Sequence, residues 1–283
     1  MAEIVGPEPA WEMPLRLLGG MHYLVLAGRA TWEDSPGDHR EFLEAFVRDQ
    51  HVQTNEVQRC WVLAPLFSRV AERTGAGEID IVELGPAAGL NLLWDRYRCE
   101  YVARAIGPSD APLVLRGEER RPIRETLLEQ APRVRRRVGI DLEPVDVTTH
   151  AGVLLLKCWV WADQTERLER MDAAIAAVRA EPPELIQGDF VELLPEVLAA
   201  QPSDVPTVVF QTAALGYVEP ERRERVRRAL DDAGVDLPLA FVSAGNPRTG
   251  VMDWGLRIVY WPGGGREFVG HADYHGAWID LGL

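Results

Sequence analysis

The sequence predicts an α/β fold with a mostly parallel sheet, an antiparallel hairpin at its end and a helical N-terminal section. Three observations carry this. From residue 79 onward, short apolar runs alternate with helix-like segments at the spacing of βαβ units. The run from Ile79 to Asn91 reads as a buried strand, a tight glycine turn and the start of a helix. Before residue 75 the apolar positions follow helical periodicity, with no strand signal.

The chain has 283 residues, 47% hydrophobic and 26% charged, enough for a sizeable core in one large domain. Its net charge of −14 disfavours nucleic acid or an anionic membrane as partner. Basic residues do cluster in Arg133–Arg137 and Arg222–Arg228, but Glu221 and Glu224 interleave the second run, as on a solvated helix face. Cys60, Cys99 and Cys158 are scattered and form no C-x-x-C pair, which points to a reduced cytoplasmic setting without a disulfide framework or zinc knuckle. The leading residues read as no signal peptide, and no apolar run approaches the roughly 18–20 residues that span a bilayer.

Taken in order, residues 11–30 read as an amphipathic helix through Leu15, Leu18, Tyr23 and Leu26, and 39–50 as a second. A third runs from Thr54 to Arg73, with Thr54 or Asn55 as N-cap. Residues 1–75 thus form a helical cap ahead of a 76–283 domain. Strands are expected at 79–84, 134–141, 184–188, 207–211, 238–243, 256–261 and 277–282, and helices at 89–97, 163–180, 190–200 and 219–233. The last two strands are expected to pair as the antiparallel hairpin. An insertion at about 98–133 carries Arg98–Ala105 and Ala111–Arg116 around Gly107-Pro108-Ser109-Asp110, which reads as a further hairpin.

The chemistry centres on Glu83-Leu84-Gly85-Pro86-Ala87-Ala88-Gly89. A dinucleotide turn needs a middle glycine so that the backbone can approach a pyrophosphate. Here Ala87 follows Pro86, which lacks a backbone donor. Glu83 would repel phosphate and attract an ammonium or sulfonium. Those properties fit S-adenosylmethionine (SAM); an acid-terminated strand with a structural turn fits equally. Asp141, in Val138-Gly139-Ile140-Asp141, could accept from both ribose hydroxyls, or be a turn acid before Pro144. Asp189 could accept from the adenine amine with Phe190 against the ring, or simply N-cap a helix. The strand Thr207–Gln211 ends in a polar tip whose Gln211, Thr212 and Tyr217 would face the reacting centre.

With these residues in place, residues of about 79–283 resemble class I SAM-dependent methyltransferases, which have a Rossmann-like sheet. The whole chain is similar to the bacterial family DUF2332 of uncharacterised proteins. The resemblance is carried by Pro14–His22, Val52-Gln53-Thr54-Asn55-Glu56-Val57, Glu83–Tyr97, Asp141–Asp146, Val160-Trp161-Ala162-Asp163-Gln164 with Arg167, and Tyr260–Gly264. Family members often carry His-Ser where this chain has Gln211-Thr212. The resemblance implies a SAM-type fold and brings no established reaction.

In the fold so implied, the helix before the first strand lies over the cofactor, so Asn55 and Glu56 would help close the pocket; capping with a buried Glu56–Arg59 contact is the structural alternative. Asn91 and Asp95 share a helix face with Trp94 nearby. Trp159, Trp161, Asp163 and Arg167 form an aromatic-plus-charge group that could contact substrate or pack as core or lid. His271 and His275 have no third ligand in view, so no metal is assigned. Hydrolase, zincin and NTPase motifs are absent.

The reading that results is methyl transfer from SAM to a small molecule by in-line attack on the sulfonium methyl, much of the catalysis coming from alignment. Glu83, Gly85, Pro86, Gly89, Asn91, Asp141, Asp189 and Phe190 would hold the cofactor. Asn55, Glu56, Trp94, Asp95, Trp161, Asp163 and Arg167 would bind substrate, and Gln211, Thr212 and Tyr217 would orient it. A non-catalytic SAM- or nucleoside-binding protein stands beside this reading, as does a nicotinamide-dependent oxidoreductase, which Pro86-Ala87 disfavours.

Overall fold

The computed structural model describes residues 12–245 and 253–283; residues 1–11, where no signal peptide is read and the first helix is expected to begin, lie outside them. Three helices come first, α1 (Glu12–Leu26), α2 (Arg40–Asp49) and α3 (Arg59–Thr74). Next come β1 (Glu78–Leu84), a 3-10 helix at Leu90–Arg96, and β2 (Arg98–Glu100), β3 (Ala105–Ile106), β4 (Val114–Arg116) and β5 (Glu118–Glu119). After α4 (Glu125–Leu128) the chain runs through β6 (Arg133–Asp141), α5 (His150–Lys157), α6 (Thr165–Ala180), β7 (Glu184–Gln187) and α7 (Phe190–Ala199). It finishes with β8 (Thr207–Thr212), α8 (Pro220–Ala233), β9 (Leu239–Gly245), β10 (Asp253–Trp261), β11 (Gly265–Asp273) and β12 (Trp278–Leu281).

The main sheet has the order β5-β12-β11-β10-β9-β8-β1-β6-β7. From β7 to β9 every neighbouring pair is parallel; β9 through β12 is antiparallel; β5 pairs parallel with β12. The chain lays β1, β6 and β7 to one side, then returns to place β8 and β9 on the other. Strand direction of travel therefore reverses between β1 and β8. Both faces of the central strands are covered: Ile79, Ile81, Val208 and Phe210 join the core that contains α3, while Val82, Leu84 and Val209 join the one under α7 and α8. That is why these strands read as mostly apolar runs, with Asp80 and Glu83 as buried exceptions in β1. Both faces being buried is also what leaves only strand ends available for a ligand.

Several expectations change. Strands 256–261 and 277–282 are not partners: β11 lies between them and pairs with both. Polar and glycine residues along β11, with Phe268 exposed, give it none of the apolar signal of a buried strand. The insertion is a three-stranded sheet with β2 central, antiparallel to β3 and parallel to β4, instead of a hairpin. Helix α5, capped by the Thr149 hydroxyl accepting from Gly152 N–H, was not expected. Helix α3 starts at Arg59, without the Thr54 or Asn55 cap. Residues 90–96 form a 3-10 helix kinked at Leu93, not an α-helix. Side chains hold it there: Tyr97 Oη donates to Leu90 O at 2.8 Å, and Arg137 Nη1 to Leu92 O at 3.0 Å. No helix among the described residues is long and apolar enough to cross a membrane.

Candidate small-molecule site

The turn after β1 takes positive φ at Gly85 (73°), Ala87 (51°) and Gly89 (77°). At Gly85 this conformation favours glycine, and a Cβ would also stand 2.8 Å from that of Ala214 in the loop after β8. The turn is bolted to the end of β6. Gly85 N–H donates to Ile140 O (3.0 Å), Ala87 N–H to Asp141 Oδ2 (2.8 Å), and Val145 N–H to Ala87 O (3.1 Å). Asp141 Oδ1 accepts from Glu143 N–H at 3.0 Å. Both oxygens of the expected ribose ligand are thus engaged by backbone, in a side chain whose pKa burial raises. Pro86 packs where a Cβ on Gly139 would fall, and Pro183 packs likewise against Gly89.

The expected adenine ligand is committed elsewhere too. Asp189 accepts from Val191 N–H at 2.9 Å, as the N-cap of α7, and forms an ion pair with Arg222 of α8. Phe190 is buried in the core under α7 and α8.

Glu83 is 1% exposed, and burial pushes its pKa up to about 8. The neighbouring Asp141 charge adds to the rise, while Asn91 and Arg59 oppose it. Burial thus favours the protonated, neutral form over the negative charge expected of it. Its Oε2 has no hydrogen-bond partner, nor does Asn91 Nδ2; Asn91 Oδ1 accepts from Cys60 Sγ at 3.3 Å.

The polar segment before α3 organises the neighbouring elements. Asn55 Oδ1 accepts from Leu90 N–H at 3.1 Å, capping the 3-10 helix. Glu56, 4% exposed, pairs with Arg167 of α6 at 2.6 Å rather than with Arg59, and its Oε1 accepts from Gln58 N–H at 3.1 Å. Gln58 Nε2 donates to Arg116 O (2.8 Å) and Gly276 O (3.3 Å). Arg59 donates to Thr212 Oγ1 (3.3 Å) and Tyr274 O (3.3 Å), with its guanidinium over the rings of Trp254 and Tyr274.

Beside this network opens a cavity of about 950 Å³. Helix α1 supplies Leu15, Leu18, Gly19 and His22, and the loops after it add Trp32, Val52 and Thr54. Residues 158–163 and Arg167 form a second wall; Tyr217, after β8, and the Tyr274-His275 turn between β11 and β12 form the third. Gly19 is required for the close approach of α1, because a Cβ there would lie 2.6 Å from the Trp159 ring. Of the residues proposed from sequence, Trp161, Asp163, Arg167 and Tyr217 meet here, with Glu56 behind Arg167.

The others do not line it. Gln211 is buried, donating to Ser243 Oγ (3.0 Å) and Ala244 O (3.3 Å) and accepting from Leu215 N–H, so its amide is spent inside the fold. Thr212 is held by Arg59. Trp94 packs on Phe67, and Asp95 pairs with Arg137 at 2.6 Å. His22, Trp32 and Tyr274 were missed as lining residues; of these only His22 lay in a segment already quoted, Pro14–His22, which carries the family resemblance. Among the described residues no three His, Cys, Asp or Glu side chains are grouped to hold a metal ion, and all three cysteines are free and buried.

Fold and cavity together define an α/β protein with an aromatic-walled, small-molecule-sized cavity beside the carboxyl ends of its parallel strands. The chain belongs to the family described as an uncharacterized protein conserved in bacteria (DUF2332), whose model matches residues 31–281. No curated protein matches it. Among solved structures, the 1.95 Å crystal structure of a "putative methyltransferase from Thermobifida fusca YX" is similar at 14% identity, covering 82% of this chain and 67% of that one, with a TM-score of 0.35.

Proposed function

We propose that this protein is a small-molecule-binding protein on a class I methyltransferase-like, Rossmann-like scaffold, its ligand held in the aromatic cavity. The observation that supports this is where the cavity lies. Tyr217 follows β8, beside the β1/β8 switch point where doubly wound sheets take ligands. About 950 Å³ suits a small organic molecule, and walls of Trp32, Trp159, Trp161, Tyr217 and Tyr274 suit a planar one. The net charge of −14 disfavours nucleic acid and anionic membranes as partners.

SAM-dependent methyl transfer to that molecule is the second reading. It is favoured by the turn at Gly85, Ala87 and Gly89 and by the unpartnered Glu83 oxygen beneath it. The residues assigned to adenosine do not fit it, however. Asp141 is 8% exposed and each of its oxygens already holds a backbone N–H of Ala87 or Glu143, Val145 N–H is bonded to Ala87 O, and Asp189 is tied to α7 and Arg222.

Tryptophan fluorescence titration with 2-naphthol, beside calorimetry with SAM, S-adenosylhomocysteine and NAD, tests both readings. Saturable quenching by naphthol that weakens in Trp161→Ala is expected; no saturable quenching removes the cavity reading. Tight SAM binding favours the second reading, and its loss in Asp141→Asn, which keeps an acceptor for the Ala87 N–H, supports Asp141 as ribose ligand. NAD binding without either SAM compound removes the methyltransferase-like assignment.

A further inference from the structure

His275 enters the cavity from the turn between β11 and β12, and nothing in the proposed ligand site yet uses it. Backbone holds it in place. Asp273 Oδ1 accepts from both His275 N–H (2.8 Å) and Ala277 N–H (3.1 Å), and Gln58 Nε2 grips Gly276 O. The next residue, Gly276, has a φ of 85° and packs so tightly that a Cβ would sit 2.7 Å from Gln58 O. The backbone that carries the imidazole is thereby fixed, and no hydrogen bond commits the Nδ1 nitrogen.

Those two nitrogens are not equivalent. Nδ1 is sealed from solvent, makes no hydrogen bond and faces Glu56 Oε2 at 4.0 Å. Glu56 is in turn fixed by Arg167 at 2.6 Å and by Gln58 N–H. A carboxylate on the Nδ1 side favours the tautomer with its proton on Nδ1, which leaves Nε2 as the acceptor. The side chain is 44% exposed, and Nε2 is its open nitrogen.

We propose that His275 Nε2 is the specificity-determining acceptor of the cavity, and that the ligand is a planar, uncharged aromatic compound bearing a hydroxyl that donates to it. This rests on the cavity being the ligand site. The charges at this end disfavour an anionic ligand: Arg167 is matched by Glu56 behind it, and Asp163 adds an acid to the wall. The charged groups around the imidazole are Glu56, Arg59, Arg167 and Asp273. Burial, then Arg167 and Arg59, lower its pKa against the opposing pull of Glu56 and Asp273, so the ring is neutral and able to accept at neutral pH.

Paired titrations of the full chain with 2-naphthol and 2-methoxynaphthalene decide it, because the two probes differ in the donor and share the ring. Naphthol should bind about five- to tenfold more tightly, the worth of one hydrogen bond. That preference should vanish in His275→Ala and, in the wild type, as pH falls and the imidazole becomes a cation that cannot accept. Equal affinity of the two probes for the wild-type protein overturns the proposal while leaving the cavity as a ligand site. A preference that survives in both His275→Ala and His275→Gln also overturns it. Binding of neither probe removes the cavity reading and this inference together.

Discussion

Replacing Glu83 by Gln should make the protein more stable, and by an amount that depends on pH. The carboxyl is fully buried, with its pKa raised from an ordinary 4.5 to about 8. In the unfolded chain it ionises above 4.5; in the folded chain it keeps its proton. A raised folded pKa gives a contribution that is fully present below the unfolded pKa and lost as pH rises through the folded one. At about pH 7 the separation from 4.5 is ~2.5 pH units, and at ~1.36 kcal/mol per unit native Glu83 costs about 3 kcal/mol. Gln has the same shape and no proton to retain, so it escapes that cost; burial of its second N–H makes about 3 kcal/mol the upper end. Urea unfolding of both proteins between about pH 5 and pH 8 measures this. The stability difference should climb by ~1.4 kcal/mol per pH unit through the middle of that range and flatten above the folded pKa. A difference that stays flat with pH, or a variant equally destabilised at both ends, would refute the assignment of a neutral, buried Glu83.

Three further outcomes follow from named contacts. Asp141→Ala leaves the buried Ala87 N–H and the Glu143 N–H without their acceptor and should cost about 2–5 kcal/mol in guanidinium unfolding; a loss under ~1 kcal/mol would show that the turn does not depend on it. Arg167→Met strands the Glu56 carboxylate in a buried setting, a loss of about 3–5 kcal/mol that Glu56→Gln in the same chain should partly recover, as a double-mutant cycle would report. Trp161 is 46% exposed, so Trp161→Ala should shift stability by less than ~1 kcal/mol while weakening naphthol binding about three- to tenfold; unchanged affinity would take this ring out of the ligand's wall.

The strands under both helical layers were legible because burial on two faces writes a mostly apolar run, as in Ile79–Leu84, broken only by the buried Asp80 and Glu83, and in Thr207–Phe210. The sheet's far end was not. Strand β11 is half exposed and glycine-containing, and such a strand is defined by its partners β10 and β12 more than by its own residues. The acids Asp141 and Asp189 stand at strand ends where a nucleotide site expects them, and spacing alone does not tell a carboxylate free for ligand from one already holding Ala87 or Arg222. That distinction depends on where the loop after β6 settles, a tertiary matter. Trp161, Asp163 and Arg167 drew notice because aromatic and charged residues crowd together there, and Tyr217 because it follows the tip of a buried strand. His22 and Trp32 were not, because only the docking of α1 against Trp159 turns them toward the same space.

The grip of Gln58 on Gly276 spans 218 positions of sequence, and that of Arg59 on Tyr274 spans 215. Both contacts frame the cavity, whose walls come from the two far ends of this separation and from residues 158–167 between them. Loops of that length close late, because their ends must meet before any local contact rewards the meeting. The parallel core around β1, β6 and β8 can condense first, so an intermediate would be compact with its binding chamber still open. A folding experiment that follows naphthol quenching alongside far-ultraviolet circular dichroism should therefore see secondary structure return before ligand affinity does.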